Sequence, residues 1–325
     1  MIRFFKSPQP AVLFAVPFIV LVLWAQAFFP HPFIAESGSV PLLDFFNGIL
    51  TKIPDFLQVI LVIGFISLEA IYLNNIFNRH EVLDKNSYLP AFMYILMMSL
   101  CASLLRFHPV ILVNLLLLGA LDKTFALFKQ ESPVSLLFDS CFLISIASLV
   151  YFPAVTMFIL FLLALAILRH FSIREWLIAI IGFSLPYFFL SVYFLWTDQL
   201  TDGLKKLISL CALKHSQIAF PIHRPMLVLS VSLGILLLLS LNRLRQNFYK
   251  NVVRTRSYQQ ILLFFFVIAA ASSFLINTIP VYQFTLMAIP LTAFFSHYFL
   301  SAKRRPALME IILWMLIGII FWNHL

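Results

Sequence analysis

Long apolar runs separated by short polar segments make up most of this chain. A helix needs roughly 20 apolar residues to cross about 30 Å of hydrocarbon at about 1.5 Å per residue. Eleven runs approach that length, and they lie near residues 10–29, 55–77, 88–105, 108–121, 133–151, 153–168, 176–196, 225–241, 260–276, 280–300 and 306–323. The runs divided at Arg106 and at Pro153 are short enough to form hairpins, so we expect nine to eleven membrane-spanning helices, with eleven favoured.

The runs are continuous rather than alternating, which distinguishes them from the strands of a membrane barrel. The pattern predicts an all-α fold, a polytopic transmembrane helical bundle that forms one domain over residues 1–325. Composition agrees, because 62% of the residues are hydrophobic and 11% are charged. Soluble domains run about 45–50% apolar and about 25% charged. Lipid must therefore be the solvent for most of the protein surface.

Lys and Arg are unevenly shared between the two sets of loops. With the N-terminus inside, 16 of the 22 basic residues fall in inner loops and 6 in outer loops. Cytoplasmic loops carry such an excess, so we expect a cytoplasmic N-terminus, an outer C-terminus and a retained first span rather than a cleaved signal peptide. The net charge of +9 then reflects orientation and contact with anionic lipid, and it indicates no nucleic-acid partner.

Two outer segments are long enough to build a structure of their own. In residues 31–56, Leu42 and Phe46 fall on one helical face while Asp44 falls on the other, which predicts a short amphipathic helix on the outer membrane surface. Residues 197–225 combine an apolar stripe with several cations. This basic outer loop departs from the charge bias of the other outer loops, and it also predicts an interfacial helix.

Cations and imidazoles at the outer face are suited to holding the phosphate of a lipid carrier. The candidate substrate-binding residues are Arg106, His108, Lys205, Lys206, His215 and Arg224. Asp44 and Glu36 are the candidate catalytic carboxylates, available as a general base. The alternative is that the basic loop rests on lipid head groups and that Arg106 extends from a tight turn to the interface.

Two carboxylates lie well inside predicted spans, Glu69 and Asp139. A charged group at the bilayer centre costs at least about 2.5–3.5 kcal/mol, so it normally faces a partner or water. Both residues lie at similar depth, which predicts a shared proton between them, directly or through Asn75. This arrangement would serve proton-coupled transport; the alternative is a buried polar cluster that fixes helix packing.

No pattern indicates a metal or a cofactor. Cys101, Cys141 and Cys211 are far apart, without a CxxC motif or a neighbouring pair of histidines. Zinc sites and disulfide frameworks have closer and more regular spacing. We therefore expect no cofactor. Besides the phosphorylated lipid carrier, the possible partners are the lipid bilayer and a second membrane protein.

The stretches "FDSCFLISIASLVYFP", "IREWLIAIIGFSLPYFF" and "VYQFTLMAIPLTAFFSHYFL", with the "MIRFFKSPQP" start, resemble an uncharacterised family of polytopic inner-membrane proteins from Bacteroidota. This resemblance implies a bacterial inner membrane and brings no assigned activity. More loosely, a first outer loop with an amphipathic helix followed by about ten further spans is similar to membrane glycosyltransferases that use polyprenyl-phosphate sugars. Those enzymes usually carry an acidic pair in that loop, whereas Glu36 and Asp44 are eight residues apart.

Three function classes follow. The favoured class is an envelope glycan enzyme, of the glycosyltransferase or polymerase type, acting on a polyprenyl-phosphate-linked substrate at the outer face. A transporter or flippase would instead use the intramembrane carboxylates. A non-catalytic scaffold or accessory subunit would need neither feature.

Overall fold

A computed structural model describes residues 4–5, 11–25, 53–83, 85–128, 130–131, 133–199, 201, 203, 205, 217–218, 223–276, 278–301 and 306–324. Their backbone is overwhelmingly α-helical, which confirms the predicted helical bundle. The helices are α1 (Ala11–Leu23), α2 (Asp55–Arg79), α3 (Leu89–Met98), α4 (Pro109–Ala126), α5 (Val134–Val150), α6 (Met157–Leu168), α7 (Ile173–Trp196), α8 (Arg224–Asn247), α9 (Val253–Ala271), α10 (Ala288–Ser301) and α11 (Pro306–His324).

Each predicted apolar run overlaps one of these helices. Within the described part of the chain, seven helical segments are long and apolar enough to cross a membrane: Asp55–Arg79, Pro109–Ala126, Ile173–Trp196, Arg224–Lys250, Val253–Leu275, Val281–Ser301 and Ala307–His324. Three shorter segments are also apolar: Leu89–Met98, Val134–Val150 and Phe152–Leu168. Each of the runs divided at Arg106 and at Pro153 forms two helices, since α3 ends before Arg106 and a 3-10 turn contains Pro153. Whether each pair spans the membrane or forms a hairpin stays a prediction.

Several ion pairs and hydrogen bonds gather at one end of the bundle, which we call the basic end. There α2 and α4 end side by side, and Nε2 of His80 lies 2.7 Å from Oδ1 of Asp122. The start of α9 joins them through Arg254, whose guanidinium donates to the carbonyl of His80 and to the carboxylate of Glu81. Charged side chains thus concentrate where these helices end.

The backbone of α2 stops at the basic end in a defined way. Glu81 adopts φ 54°, in the left-handed region, and the amide of Val82 donates to the carbonyl of Phe77 at 3.0 Å. This bond closes a Schellman-type turn, which satisfies carbonyls left over at the helix end. Glycine usually occupies this position, so Glu81 carries strain that its contacts with Arg254 and Thr255 offset.

The opposite end of the bundle is less regular. Helix α3 has only 10 residues, or about 15 Å of helix, and residues 99–108 follow it with a single 3-10 turn. Between α9 and α10 the chain forms two 3-10 turns and a two-residue strand, Thr278–Ile279, which pairs in parallel with Gln217–Ile218. Non-helical backbone at membrane depth is tolerated only where protein buries it or where it lines a cavity.

Proline residues lie inside several of the helices. Pro17 and Pro186 lie within α1 and α7. Pro290 is the third residue of α10 rather than a mid-helix residue, because a 3-10 segment precedes that helix. In the first turn its missing N–H costs little. Most of the predicted interfacial helices, in residues 31–56 and 197–225, lies outside the described residues.

Candidate functional site

Glu69 is completely buried near the middle of α2. Its Oε2 accepts a hydrogen bond of 2.8 Å from the hydroxyl of Tyr94 on α3. Its Oε1 has no hydrogen-bond partner among the described residues. A carboxyl group inside a membrane bundle is costly and marks a functional site by default, and this one uses only half of its bonding capacity.

The contacts of Tyr94 extend from α2 to a third helix and an irregular segment. The side chain of Asn114 on α4 lies close to the same hydroxyl. The Asn114 amide nitrogen donates to the carbonyl of Thr285 at 3.2 Å, in the 3-10 segment before α10. We call Glu69, Tyr94 and Asn114 the Glu69 cluster. It joins three helices to the irregular half of the bundle.

Further polar groups continue from the 3-10 segment toward the opposite end. Gln283 is completely buried, accepts from the Tyr151 hydroxyl at 2.6 Å and donates to Ser272 at 2.7 Å. Beside it, the rings of Tyr282 and His108 stack with centroids 5.4 Å apart and an interplanar angle of 9°. These side chains form a second group of buried polar contacts, next to the 3-10 segment that precedes α10.

His108 is 5% exposed and lies just before α4. Burial lowers the pKa of His108 to about 3. Its ring is therefore neutral at physiological pH, and neither ring nitrogen has a hydrogen-bond partner in the described part of the chain. It offers uncharged bonding groups rather than a cation.

Buried polar atoms without partners recur around the Glu69 cluster. Asn74 lies on α2, five residues after Glu69. Its side-chain nitrogen and oxygen have no hydrogen-bond partner among the described residues, and neither does Oδ1 of Asn114. Asn74 and Asn114 are both completely buried. Unpaired buried groups of this kind cost about 1–3 kcal/mol each unless water, an ion or a ligand satisfies them.

A barrier of mostly apolar side chains, with Asn74 as a buried polar residue within it, separates the Glu69 cluster from the basic end. Leu73, Ile76 and Phe77 on α2 are buried between Glu69 and His80, and 11 residues of helix span about 16 Å. At the far side of this barrier Asp122 holds the imidazole of His80, the guanidinium of Arg79 at 3.6 Å and the hydroxyl of Tyr72. The bundle thus contains two separate polar sites.

The predicted pairing of Glu69 with Asp139 is wrong. Asp139 accepts from the ammonium of Lys123 at 3.1 Å, and its side chain is 45% exposed. Asn75, the predicted bridge, is exposed on α2. Lys123 follows Asp122 directly, so Asp139 lies at the basic end with His80 rather than at the level of Glu69. The depth counted from the predicted ends of the spans was wrong for this pair.

The candidate residues of the outer face are only partly visible. Glu36, Asp44, Lys206 and His215 lie outside the described residues. Lys205 and Arg224 are exposed, and Arg106 is partly exposed. Arg106 and His108 do lie in the same irregular connection between α3 and α4, as the short "LLRFHPV" sequence predicts. The structure does not bring the whole predicted set together.

Tyr94, Asn114 and Gln283 were not predicted as site residues. One signal for them was available: each is an isolated polar side chain within an otherwise apolar predicted span. His80 and Asp122 carried a weaker signal, since both end predicted spans on the same side of the membrane. Among the described residues, no group of three or more His, Cys, Asp or Glu side chains could hold a metal ion.

Comparison with known proteins adds no family. No protein-family model matches the chain, and neither a curated protein nor a solved structure is similar to it. The residues themselves must carry any functional conclusion.

Proposed function

We propose that this protein is a membrane transporter that moves protons, with or without a polar solute, through a site centred on Glu69. The observation that carries the proposal is the completely buried Glu69 carboxyl, which has one bonded and one unbonded oxygen. A carboxyl in this setting can take up a proton and release it when water or a solute reaches the unbonded oxygen. The proton moves to and from Oε1, while Tyr94 holds Oε2 in place.

The surroundings of Glu69 support movement of a polar group rather than packing alone. A cluster that served only to fix helix packing would have its bonding groups satisfied. Asn74 and Asn114 instead keep unbonded atoms, and the path from Asn114 to Thr285 leads to the irregular half of the bundle. Interrupted helices at a polar site are common where transporters bind substrates and ions.

The same proposal includes topology. We propose eleven spans, because each apolar run has its own helix, with the basic end in the cytoplasm of a bacterial cell and the protein in its inner membrane. The charge distribution supports this orientation, since Arg79, Lys123, Arg169 and Arg254 share one end. The irregular half would then face the outside.

A second candidate is the envelope glycan enzyme. The specific observation in its favour is that the connection holding Arg106 and His108 belongs to the irregular half, where a lipid-linked phosphate could enter from the outer leaflet. The candidate carboxylates Asp44 and Glu36 would act there. On this proposal Arg106, Lys205 and Arg224 supply charge, and His108 supplies neutral hydrogen bonds.

Proton movement through purified protein tests the main proposal. Proteoliposomes containing a pH-sensitive dye are given a potassium diffusion potential, with and without a small-molecule extract of the source cells outside. We expect acidification with wild-type protein and a rate about tenfold slower with Glu69→Gln, which keeps the shape but binds no exchangeable proton. Asp139→Asn is the matched control and should behave as wild type.

Equal rates for wild type and Glu69→Gln, or no acidification under either condition, would overturn the transport proposal.

The envelope glycan profile tests the second candidate. Arg106→Ala and Arg224→Ala, expressed at normal levels, should alter the envelope glycan profile if the enzyme proposal is correct. Normal glycans in both variants would remove it.

A further inference from the structure

Two buried oxygens near the Tyr94 hydroxyl have no hydrogen-bond partner among the described residues. One is Oε1 of Glu69 and the other is Oδ1 of Asn114. Oε1 shares its carbon atom with Oε2, which lies 2.8 Å from the Tyr94 oxygen, and the side chain of Asn114 lies close to the same hydroxyl. All three side chains are completely buried. The Glu69 cluster therefore holds unpartnered acceptor oxygens from two helices around one hydroxyl.

The contacts of the Asn114 amide nitrogen orient this side chain. Nδ2 lies 3.2 Å from the carbonyl oxygen of Thr285 and 3.9 Å from Sδ of Met98. Both neighbours are acceptors, and an amide nitrogen has two hydrogens to donate. The network thus assigns the nitrogen to this position and the oxygen to the other. Oδ1 of Asn114 is left as an acceptor that needs a donor or a cation.

The charge around these oxygens is that of a single carboxylate. Tyr94 bonds to Glu69, and no Lys, Arg or His side chain contacts the carboxylate in the described part of the chain. Helix α1, which also packs on α2, has no titratable side chain, and those within α4 lie at the basic end. An isolated ionised carboxylate in a dry interior is costly. One positive charge neutralises it.

The ligand atoms indicate which kind of cation fits. Carboxylate, amide and hydroxyl oxygens are hard ligands, which suit alkali and alkaline-earth ions rather than transition metals. A divalent ion would leave one excess positive charge in the interior, and Ca²⁺ usually takes several carboxylates. The set therefore favours a monovalent ion. Because the oxygens are buried, the ion must lose its water, and close packing favours a small ion over a large one.

We propose that the Glu69 cluster binds a small monovalent metal cation, of the size of Na⁺, in place of the proton on Glu69. The ligands are Oε1 of Glu69, Oδ1 of Asn114 and the oxygen of Tyr94. One proton leaves Oε1 as one ion binds, so the charge of the site is unchanged. The inference deepens the proposed function: the role of the ion as a transported solute rests on that proposal, whereas its binding does not.

Thermal unfolding of the detergent-purified full chain tests this binding, in sodium, potassium or choline chloride of equal ionic strength at alkaline pH, where the proton competes least. A ligand that binds only the folded state raises the unfolding midpoint as its concentration rises. We expect the wild-type midpoint to rise with sodium but not with potassium or choline. Glu69→Gln should lose the rise, and Asn114→Leu should need about tenfold more sodium for the same rise. Asp139→Asn removes an exposed carboxylate and should respond as wild type.

Each variant is compared with itself in choline chloride, so a change in its own stability does not affect the result. Equal wild-type midpoints in sodium and choline would mean that water completes the two oxygens, and would overturn the site. An equal rise with potassium would reject a small ion. A rise kept by Glu69→Gln, lost by Asp139→Asn or unchanged in Asn114→Leu would reject the ligand set.

Binding and transport fail separately. Sodium-dependent stability without proton movement in proteoliposomes would support this site and remove the transport proposal. Proton movement without sodium-dependent stability would keep the transport proposal and overturn this site.

Discussion

The basic end and the Glu69 cluster handle polar groups in opposite ways. At the basic end Asp122 has three partners, His80, Arg79 and Tyr72, and Arg169 binds both oxygens of Glu175. In the Glu69 cluster one carboxylate oxygen and one amide oxygen have no partner among the described residues. The partly exposed carboxylate of Asp122 has partners on both oxygens, whereas the buried carboxylate of Glu69 has a partner on only one oxygen among the described residues.

This difference assigns different roles to the two regions. Charges at the basic end fix where helices stop and hold α2, α4 and α9 in register, so their bonds contribute to stability. Unused bonding capacity in the dry interior costs stability. Proteins retain such a cost at functional sites, where a proton, an ion or a substrate completes the bonds. The comparison therefore predicts that substitutions in the two regions will change stability in opposite directions.

The largest expected effect is at the basic end, from Asp122→Ala. This change leaves the buried imidazole of His80 without its acceptor. We expect a loss of about 3 kcal/mol in the free energy of unfolding, since breaking one side of a buried pair leaves the other uncompensated. Thermal unfolding of the detergent-solubilised protein measures it.

Asp139→Ala is the matched control for that change. The Lys123–Asp139 pair is about as short, but both side chains are more than a third exposed, so we expect a loss of less than about 1 kcal/mol. If the two substitutions cost the same, burial does not distinguish the pairs and the proposed role of the basic end fails.

A smaller effect of opposite sign is expected in the interior, from Asn74→Leu. The side chain of Asn74 is completely buried and unbonded, and leucine has a similar size without polar atoms. We expect stability to rise by roughly 1 kcal/mol, and proton movement to slow if Asn74 belongs to the path. Ser148→Ala, which removes a hydroxyl that does have partners, should lower stability. A stability loss in Asn74→Leu would show that Asn74 has a structural role.

The helices were predictable because membrane hydrocarbon imposes one rule along the whole chain. Each span must be apolar over most of its length, so hydropathy alone located all of α2 to within about two residues, as residues 55–77 against Asp55–Arg79. The early end of α3 was not predictable, because the apolar sequence continues past Met98 while the backbone leaves the helix. Buried polar contacts support that irregular backbone, and they come from residues distant in sequence.

Glu69 was predictable as a site residue, but the residues that contact it were not. Glu69 was identified because a carboxylate in an apolar run is costly wherever it points. Its pairing with Tyr94 depends on how α2 and α3 rotate against each other, which depth does not determine. The ion pair of Asp139 was not predicted, because the predicted span ended at residue 121 and left Lys123 in a loop. Lys123 instead lies in the last turn of α4, beside Asp139.

The most specific prediction concerns acid and the irregular half, through His108→Phe. The buried His108 stays neutral down to about pH 3, whereas an exposed imidazole takes up a proton near pH 6.5. The unfolded chain therefore binds one more proton than the folded chain between these values. Wild-type stability should fall as the pH falls through this window, by about 2 kcal/mol at pH 5 from this group. Phenylalanine keeps the stacking on Tyr282 and cannot bind a proton, so His108→Phe should lose that part of the dependence and match wild type at pH 7.5 apart from a constant offset. Melting temperatures at pH 7.5 and pH 5 for both proteins measure the difference, and parallel shifts in the two would show that His108 is hydrated rather than buried.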